Sequence, residues 1–101
     1  MTAIIILNWN GADDTLACLE SLAKAEGVFC VYVVDNGSSD DSLARIGNWI
    51  DGHEEMDVCL VPLDRNYGFA RGNNLGLEKA RKANPDSYLL LNNDTEVRPD
   101  F

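Results

Sequence analysis

Two amides and a carboxylate directly follow the last apolar run of the chain. In the segment YLLLNNDTEV, the run Tyr88–Leu91 is succeeded by Asn92, Asn93 and Asp94. A carboxylate such as Asp94 is a suitable ligand for a hard divalent cation, Mg²⁺ or Mn²⁺. Magnesium in particular leaves its other coordination positions to water and to the phosphate oxygens of a substrate. This turn therefore predicts a metal site that works together with a phosphorylated ligand.

Polar residues follow the other apolar runs in the same way. The sets are Asn8-Trp9-Asn10, Asp35-Asn36-Gly37 and Asp64-Arg65-Asn66. A carboxylate such as Asp35 can accept a hydrogen bond from the ring N–H of a base, and an aromatic side chain such as Trp9 can flank that base. Asn, Asp and Gly are also ordinary turn formers after strands. The residue types alone leave both interpretations open.

Other familiar sites are excluded by their missing motifs. The chain has neither a G-x-G-x-x-G after its first apolar run nor a G-x-x-x-x-G-K-[ST] anywhere. A serine hydrolase needs a histidine beside its nucleophile, but Ser38 and Ser39 are interpreted as helix caps, and His53 as an isolated residue of a solvent-exposed loop. Of the ligand sites considered, a mononucleotide site remains, beside the interpretation as plain turns.

The apolar pattern predicts the elements that position these residues. Strands are predicted at Ala3–Leu7, Val28–Val34, Val58–Leu63 and Tyr88–Leu91. Helices are predicted at Ala12–Ala25 and at Gly68–Ala83. A third helix is predicted between them, with the core stripe Leu43, Ile46 and Ile50 and with Asp40 and Asp41 in its first turn. Strands that alternate with helices form a mostly parallel α/β sheet with flanking helices and right-handed crossovers. Ligands of such sheets bind at the carboxyl ends of the strands.

Two glycines interrupt the last predicted helix on one face. Gly72 and Gly76 are four residues apart, and each costs about 1 kcal/mol relative to alanine inside a helix. We therefore expect a ligand or another backbone to approach this face closely.

Charge and cysteine content restrict the partners. The net charge of −9 argues against a nucleic-acid partner, because a nucleic-acid backbone attracts basic proteins. Five of the eight bases lie between Arg65 and Lys82, either as a solvated helix face or as a local phosphate contact. The cysteines Cys18, Cys30 and Cys59 are predicted to be buried free thiols. No apolar run approaches the roughly 20 residues of a membrane helix, and no signal peptide is evident. A cytoplasmic location is therefore expected.

Four segments in order carry a resemblance to a known family. The segments IIILNWN, VVDNGSSDDS, NYGFARGNNLG and LLLNNDTEV resemble the inverting family 2 glycosyltransferases, which have the GT-A fold. The resemblance covers essentially all of residues 1–101 as one nucleotide-sugar-binding domain, the Rossmann-like nucleotide-binding half of that fold. It implies nucleotide contacts from Asn8, Trp9, Asn10, Asp35, Asn66, Gly68, Arg71, Gly72, Asn74, Asn92 and Asn93, and a metal ligand in Asp94.

One departure from the family concerns its D-x-D motif. Asn92 stands where the motif has its first acid, as in rhamnosyltransferase-like sequences. The amide oxygen of Asn92 can reach a ribose hydroxyl or a bound water, but it adds no negative charge beside the metal. The resemblance therefore leaves both UDP-sugars and dTDP-rhamnose open as donors.

The function implied by the resemblance is transfer of a sugar from a nucleoside diphosphate sugar to a glycan or lipid-linked acceptor, with inversion. The family supplies its general base from a region beyond the D-x-D motif, so we expect that base beyond Phe101 and only the donor and metal half in this chain. A parent enzyme acting on a lipid-linked acceptor would associate with a membrane. The alternative is a non-catalytic nucleotide-binding or interaction module. The free sheet edges are candidates for self-association.

Overall fold

The computed structural model describes all residues from Met1 to Phe101. The strands are β1 (Thr2–Asn8), β2 (Phe29–Asp35), β3 (Val58–Pro62) and β4 (Ser87–Leu91), and the helices are α1 (Ala12–Ala23), α2 (Ser42–Asp51) and α3 (Phe69–Arg81). The alternation predicted from the apolar pattern is confirmed, with the predicted strand ends within two residues of the observed ones. None of the three helices is both long and apolar enough to cross a bilayer.

The four strands form one parallel sheet in the order β3-β2-β1-β4. β1 is central: Thr2 is paired with Phe29 of β2 on one side and with Ser87 of β4 on the other. The chain first builds outward from β1 through β2 to β3, and α3 then carries it back across the sheet to β4. The strand order therefore switches between β1 and β4, where open sheets of this kind form a ligand crevice.

Both faces of the sheet are covered by helices, which explains the continuous apolar run of β1. On one face, Ile4 and Ile6 of β1 pack against α1 and α2; this core comprises Ile4, Ile6, Cys18, Leu19, Leu22, Val31, Val33 and Ile46. On the other face, Ile5 packs beneath α3; this core comprises Ala3, Ile5, Cys30, Val34 and Ala80. A strand buried on both faces has no polar side to show in its sequence.

The glycines of α3 let this helix lie close to the sheet. A Cβ atom at Gly76 would lie 2.7 Å from Cγ2 of Val34 and 2.8 Å from Cγ2 of Ile5. A Cβ atom at Gly72 would lie 2.8 Å from Cδ1 of Leu7. The close neighbours are thus side chains of the sheet, and neither glycine is left open for a ligand.

The start of α2 differs from its prediction. Asp41 is the N-cap residue, with no capping bond from its side chain, so Asp40 and Asp41 precede the helix instead of forming its first turn. The interpretation of Ser38 and Ser39 as caps is therefore wrong. Leu43, predicted in the core stripe, is 40% exposed, whereas Ile46 is buried.

The histidine differs from its predicted surroundings, whereas two of the three cysteines lie where they were predicted. His53, interpreted as a solvent-exposed loop residue, is half-buried and stacks on Trp49 with ring centroids 3.7 Å apart. All three cysteines are free; Cys18 and Cys30 are buried and Cys59 is half-buried. The predicted burial therefore holds for Cys18 and Cys30 but not for Cys59. His53 packs against the last turn of α2 because the chain turns back after Asp51.

Gly76→Ala is expected to lower the free energy of unfolding by about 1–2 kcal/mol. The added methyl group overpacks against two β-branched side chains that cannot easily rotate away, and this cost exceeds the gain in helix propensity. Urea denaturation measures the change. The matched control is Gly47→Ala in α2, where the nearest atom to a new Cβ is 3.8 Å away. The control should stabilise the protein by about 0.5–1 kcal/mol, and a similar gain at Gly76 would contradict the close packing of α3.

Candidate functional site

A buried hydrogen-bond chain joins the carboxyl ends of β1 and β2 to the first turns of α1. The side chain of Asn8 is fully buried. Its Nδ2 donates to Oδ1 of Asp35 at 3.0 Å and to Oγ of Ser38 at 3.3 Å. Its Oδ1 accepts a hydrogen bond from Oγ1 of Thr15 at 2.6 Å. Asn8 therefore uses both ends of its amide to fix the framework, and its burial leaves no exposed group for a ligand.

The same series of hydrogen bonds extends to the turn after β4 through the side chain of Asn93. Its Nδ2 donates to Oγ1 of Thr15 at 3.2 Å and to the carbonyl oxygen of Gly11 at 3.4 Å. The backbone N–H of Thr95 donates to the carbonyl of Asn92 at 3.0 Å and closes the turn. Asn93 is therefore directed inward, and it holds the turn in place for its two neighbours.

Most acceptor positions of the Asp35 carboxylate are occupied by donors of the protein itself. Asp35 is only 2% exposed. Besides Asn8, its partners are Oγ of Ser38, which donates to Oδ1 at 2.6 Å, and the Ser38 N–H, which donates to Oδ2 at 3.3 Å. A carboxylate offers about four acceptor positions. One acceptor position on Oδ2 therefore has no partner within the protein.

Asn10 and Trp9 have opposite surroundings. Asn10 adopts a left-handed backbone conformation with φ of 48°, and its Oδ1 accepts from the N–H groups of Ser39 at 2.8 Å and Asp40 at 3.3 Å. Its amide thus holds the loop between β2 and α2. Trp9 lies between Asn8 and Asn10, whose side chains are hydrogen-bonded within the protein. It is 53% exposed, so its ring is free to lie against a planar ligand.

Asn36, which the sequence interpretation did not select, holds the loop after β3. It is buried, its Nδ2 donates to Oδ1 of Asn66 at 3.1 Å and to the carbonyl of Gly68 at 3.2 Å, and its Oδ1 accepts from the Tyr67 N–H at 3.0 Å. Asn66 Oδ1 also accepts from the Gly68 N–H at 2.7 Å. Both asparagines are therefore structural members of this loop.

A glycine allows the loops after β2 and β3 to touch. Gly37 has φ of +71°, and a Cβ atom there would lie against the backbone of Arg65 and Asn66. The position thus requires glycine for two reasons, its left-handed backbone and the lack of space.

Two arginines gather around Tyr67 in the loop after β3. The guanidinium carbons of Arg65 and Arg71 lie 5.2 and 5.1 Å from its ring centroid, within the range of cation–π attraction. The Tyr67 hydroxyl donates to Oδ1 of Asp64 at 2.5 Å, and this bond lowers the pKa of the Asp64 carboxyl. One aromatic ring therefore keeps two positive charges together at the start of α3.

A cleft of about 240 Å³ opens at the switch point between β1 and β4. Its lining residues are Leu7, Phe69, Asn73, Leu90, Leu91, Asn92, Asn93 and Asp94. Asn73 lines this cleft and is buried, whereas the predicted Asn74 is exposed and does not line it. The Asn73 side chain donates to the carbonyl of Phe69 at 3.0 Å. Phe69 and Asn73 are four residues apart and so share one face of α3, and this spacing could have indicated that Asn73 lines the cleft.

Asp94 is the one carboxylate that lines the cleft, and it is exposed. Its negative charge is felt by the nearby Cys18 thiol. The pKa of that thiol is raised to about 11, mainly by burial and to a smaller extent by the charges of Asp94 and Glu96. Asp94 takes part in no salt bridge, and no group of three or more His, Cys, Asp or Glu side chains forms a metal cage. The donor set fits a cation that is completed by water and phosphate oxygens.

The predicted site residues thus fall into two groups. Asn8, Asn10, Asp35, Asn66, Gly72 and Asn93 are engaged within the protein by hydrogen bonds or packing. Trp9, Gly68, Arg71, Asn74, Asn92 and Asp94 are exposed. Only Asn92, Asn93 and Asp94 of the predicted set line the cleft itself.

Known structures share this architecture over much longer chains. A crystal structure of residues 1–349 of TarS from S. aureus superposes with a TM-score of 0.79 and 21% identity, covering 97% of this chain and 28% of that one. The mannosyltransferase PcManGT from Pyrobaculum calidifontis, in complex with GDP-Man and Mn²⁺, gives a TM-score of 0.74 and 23% identity, covering 78% and 24%. The chain therefore spans less than a third of these proteins.

The same TarS fragment is also known in complex with UDP, at a TM-score of 0.80 and 21% identity over 98% of this chain and 29% of that one. The curated proteins contain no match to the chain. Residues 3–101 match the model of glycosyl transferase family 2. Since that match spans nearly the whole sequence and the fold agrees with GT-A neighbours, the chain belongs to glycosyl transferase family 2.

Proposed function

We propose that this chain is the donor-binding half of a glycosyltransferase that uses a UDP- or dTDP-linked sugar. The full enzyme would transfer that sugar, with inversion, to a glycan or lipid-linked acceptor. The observation that carries the proposal is the exposed carboxylate of Asp94 in the cleft at the β1–β4 switch point. Neighbours with the same fold support it, since TarS is known with UDP and UDP-GlcNAc and PcManGT with GDP-Man and Mn²⁺.

The base of the nucleotide would be held at the ends of β1 and β2. The exposed Trp9 ring offers a flat apolar surface to one side of the base. The remaining acceptor position on Oδ2 of Asp35 suits the ring N–H of a pyrimidine. Because Asn8 and Ser38 already fix the carboxylate, the protein orders this contact before the ligand arrives.

The diphosphate would lie over the turn after β4 and the start of α3. Asp94 would be the protein ligand of a divalent cation, and Asn92 would reach a ribose hydroxyl or a bound water. When bound, the cation neutralises charge on the departing nucleoside diphosphate. Phe69 is both the first residue of α3 and part of the cleft wall, so the positive end of the helix dipole also favours phosphate here. Arg71 adds a positive charge in the first turn of the same helix.

Deprotonation of an acceptor hydroxyl needs a further group. Asp94 is the one carboxylate in the cleft, and as a ligand of the proposed cation it would not be available as a base. The general base would therefore come from outside residues 1–101, and we expect this chain to bind a donor nucleotide without transferring the sugar. Its free cysteines suit a reducing compartment such as the cytoplasm. A lipid-linked acceptor would bring the full enzyme to a membrane.

A second candidate function is a nucleotide-binding or interaction module without catalysis. The observation that favours it is Asn92, which leaves the cleft with a single carboxylate. The two candidates differ in how strongly the chain uses a metal, because a transferase needs the cation at the leaving group and a module does not.

Asp94→Ala is expected to abolish the metal-dependent part of nucleotide binding. Calorimetric titration with UDP, dTDP and GDP, each with and without Mn²⁺, measures this part directly. Asp51→Ala removes an exposed carboxylate at the end of α2 and serves as the matched control, with unchanged affinities. Nucleotide binding that is equal with and without Mn²⁺ in the unaltered chain would favour the module. Absence of any nucleotide binding would contradict the transferase proposal and leave only an interaction module.

Trp9→Ala is expected to weaken UDP and dTDP binding about 3- to 10-fold, by loss of the aromatic surface beside the base. The same loss should appear with and without Mn²⁺, in contrast to the effect of Asp94→Ala. Calorimetry under the same conditions gives both numbers. An unchanged affinity would show that the base binds elsewhere.

Asn92→Asp is expected to tighten Mn²⁺-dependent nucleotide binding by about tenfold, because a second carboxylate adds negative charge beside the cation. Binding without metal should weaken, since the added charge then repels the diphosphate. Titrating Mn²⁺ at a fixed UDP concentration measures the first effect. Asn48→Asp places the same charge on an exposed residue of α2, outside the cleft, and an equal gain there would rule out a local effect.

A further inference from the structure

The turn after β4 is attached to the rest of the protein mainly by one side chain. The pairing of β4 with β1 ends at Leu91, and the next backbone group bonded to another element is the N–H of Val97, which donates to a side chain of α1. Between these two points, the backbone hydrogen bond that closes the turn stays within the turn itself. The amide of Asn93 therefore provides the hydrogen bonds that connect the turn to the framework.

Thr15 accepts the shorter of these hydrogen bonds. Asn93 Nδ2 lies 3.2 Å from Oγ1 of Thr15 and 3.4 Å from the carbonyl oxygen of Gly11. Thr15 belongs to α1 and is fully buried, so its hydroxyl has protein partners in place of water. Thr15 is thus the side chain that ties the turn to the framework, although it does not line the cleft.

The direction of each hydrogen bond in this series is fixed by the carboxylate at its far end. A carboxylate can only accept, so Asn8 must present its Nδ2 to Asp35 and its Oδ1 to Thr15. The Thr15 hydroxyl must then donate to Asn8, and its remaining lone pair meets an N–H of Asn93. The amide of Asn93 is therefore held in one orientation.

The orientation of Asn93 determines where the next residue lies. Asp94 is exposed, lines the cleft and takes part in no salt bridge, so no charged partner holds its carboxylate in place. Side chains that orient a metal ligand without touching the metal contribute strongly to metal affinity. The bond between Asn93 and Thr15 is in the right place to have this effect.

We propose that Thr15 is a positioning residue for Asp94 and acts through Asn93. This role rests on the proposed function, in which Asp94 is the ligand of a divalent cation that assists nucleotide binding. Because the same hydroxyl also bonds Asn8, which holds Asp35, Thr15 fixes the metal ligand relative to the base acceptor. One nucleotide must reach both at once, and the framework sets their separation before it binds.

Thr15→Val tests this role, because valine keeps the β-branched shape and lacks the hydroxyl. Calorimetric titration with UDP, with and without Mn²⁺, gives the factor by which Mn²⁺ tightens binding. This factor should fall about tenfold or disappear, as is typical when a side chain that orients a metal ligand is lost. The affinity for UDP without Mn²⁺ should change much less, which a general loss of stability would not produce.

Two further variants separate the hydrogen bond from packing and from burial. Thr15→Ser keeps the hydroxyl and should retain the Mn²⁺ factor, so a loss with serine would overturn the proposal. Ser42→Ala removes another fully buried hydroxyl, at the start of α2 and outside the cleft. It is the matched control and should leave the Mn²⁺ factor unchanged.

Gly11→Ala disturbs the same contact without removing the hydroxyl. A Cβ atom at Gly11 would lie 2.9 Å from Asn93 Nδ2. The end of a flexible side chain can move away at little cost to the fold, so this variant should be folded even if Thr15→Val is not. Its displaced Asn93 amide should give the same loss of the Mn²⁺ factor.

Hydrogen exchange in the metal-free chain gives an independent measurement. The N–H of Thr95 closes the turn by donating to the carbonyl of Asn92. In Thr15→Val, this N–H should exchange at least about tenfold faster, relative to the N–H groups of α2, because the turn opens locally. An equal acceleration in α2 would mean that the hydroxyl only stabilises the whole fold, and would overturn the proposal.

Failure of this role can be distinguished from failure of the proposed function. A Mn²⁺ factor that is present in the unaltered chain and unchanged in Thr15→Val and Gly11→Ala would overturn the role of Thr15 alone. UDP binding that is equal with and without Mn²⁺ before any substitution would contradict the transferase proposal, and the role of Thr15 together with it.

Discussion

The structure depends on the fully buried amide of Asn8. An amide in this position is costly unless its groups are paired, and here β2, its following loop and α1 supply the partners. Thr15 extends the chain of bonds to Asn93 after β4. Three strand ends and the start of a helix are therefore fixed relative to each other by one polar residue in an otherwise apolar strand.

This arrangement separates framework residues from residues that can meet a ligand. The amides of Asn10, Asn36 and Asn93 are occupied by backbone groups of neighbouring loops, while Trp9 and Asp94 remain exposed. The loops at the switch point are thus ordered without a ligand. A nucleotide that binds there would not have to supply the entropy cost of ordering them.

The sequence determined the sheet more clearly than the details of the site. The apolar run of β1 and the alternation of strands and helices were sufficient for a parallel sheet, and the carboxyl-end rule located the crevice. The roles of Ser38 and Asn36 were not accessible in this way. Asn8, which bonds to Ser38, is 30 residues away, and Asn66 and Gly68, which bond to Asn36, are 30 and 32 residues away. A turn residue also looks the same in sequence whether it bonds to protein or to ligand.

The inward position of Asn73 was not accessible from residue types for a related reason. Adjacent residues of a helix point about 100° apart, so a shift of one position moves a side chain from the cleft to solvent. The residues buried in α3 are Gly72, Asn73, Gly76 and Ala80, and their spacing identifies Asn73 as the inward residue. The polar character of both asparagines concealed that periodicity.

The contact at Gly37 also bears on how sequences of this kind can diverge. Because the loops after β2 and β3 meet backbone to backbone at this residue, a longer loop or a larger side chain on one strand end must displace the other. A change at this contact in one loop is therefore expected to require a compensating change in the other. The position of the loop that carries Arg65 thus depends on that of the loop that follows Asp35.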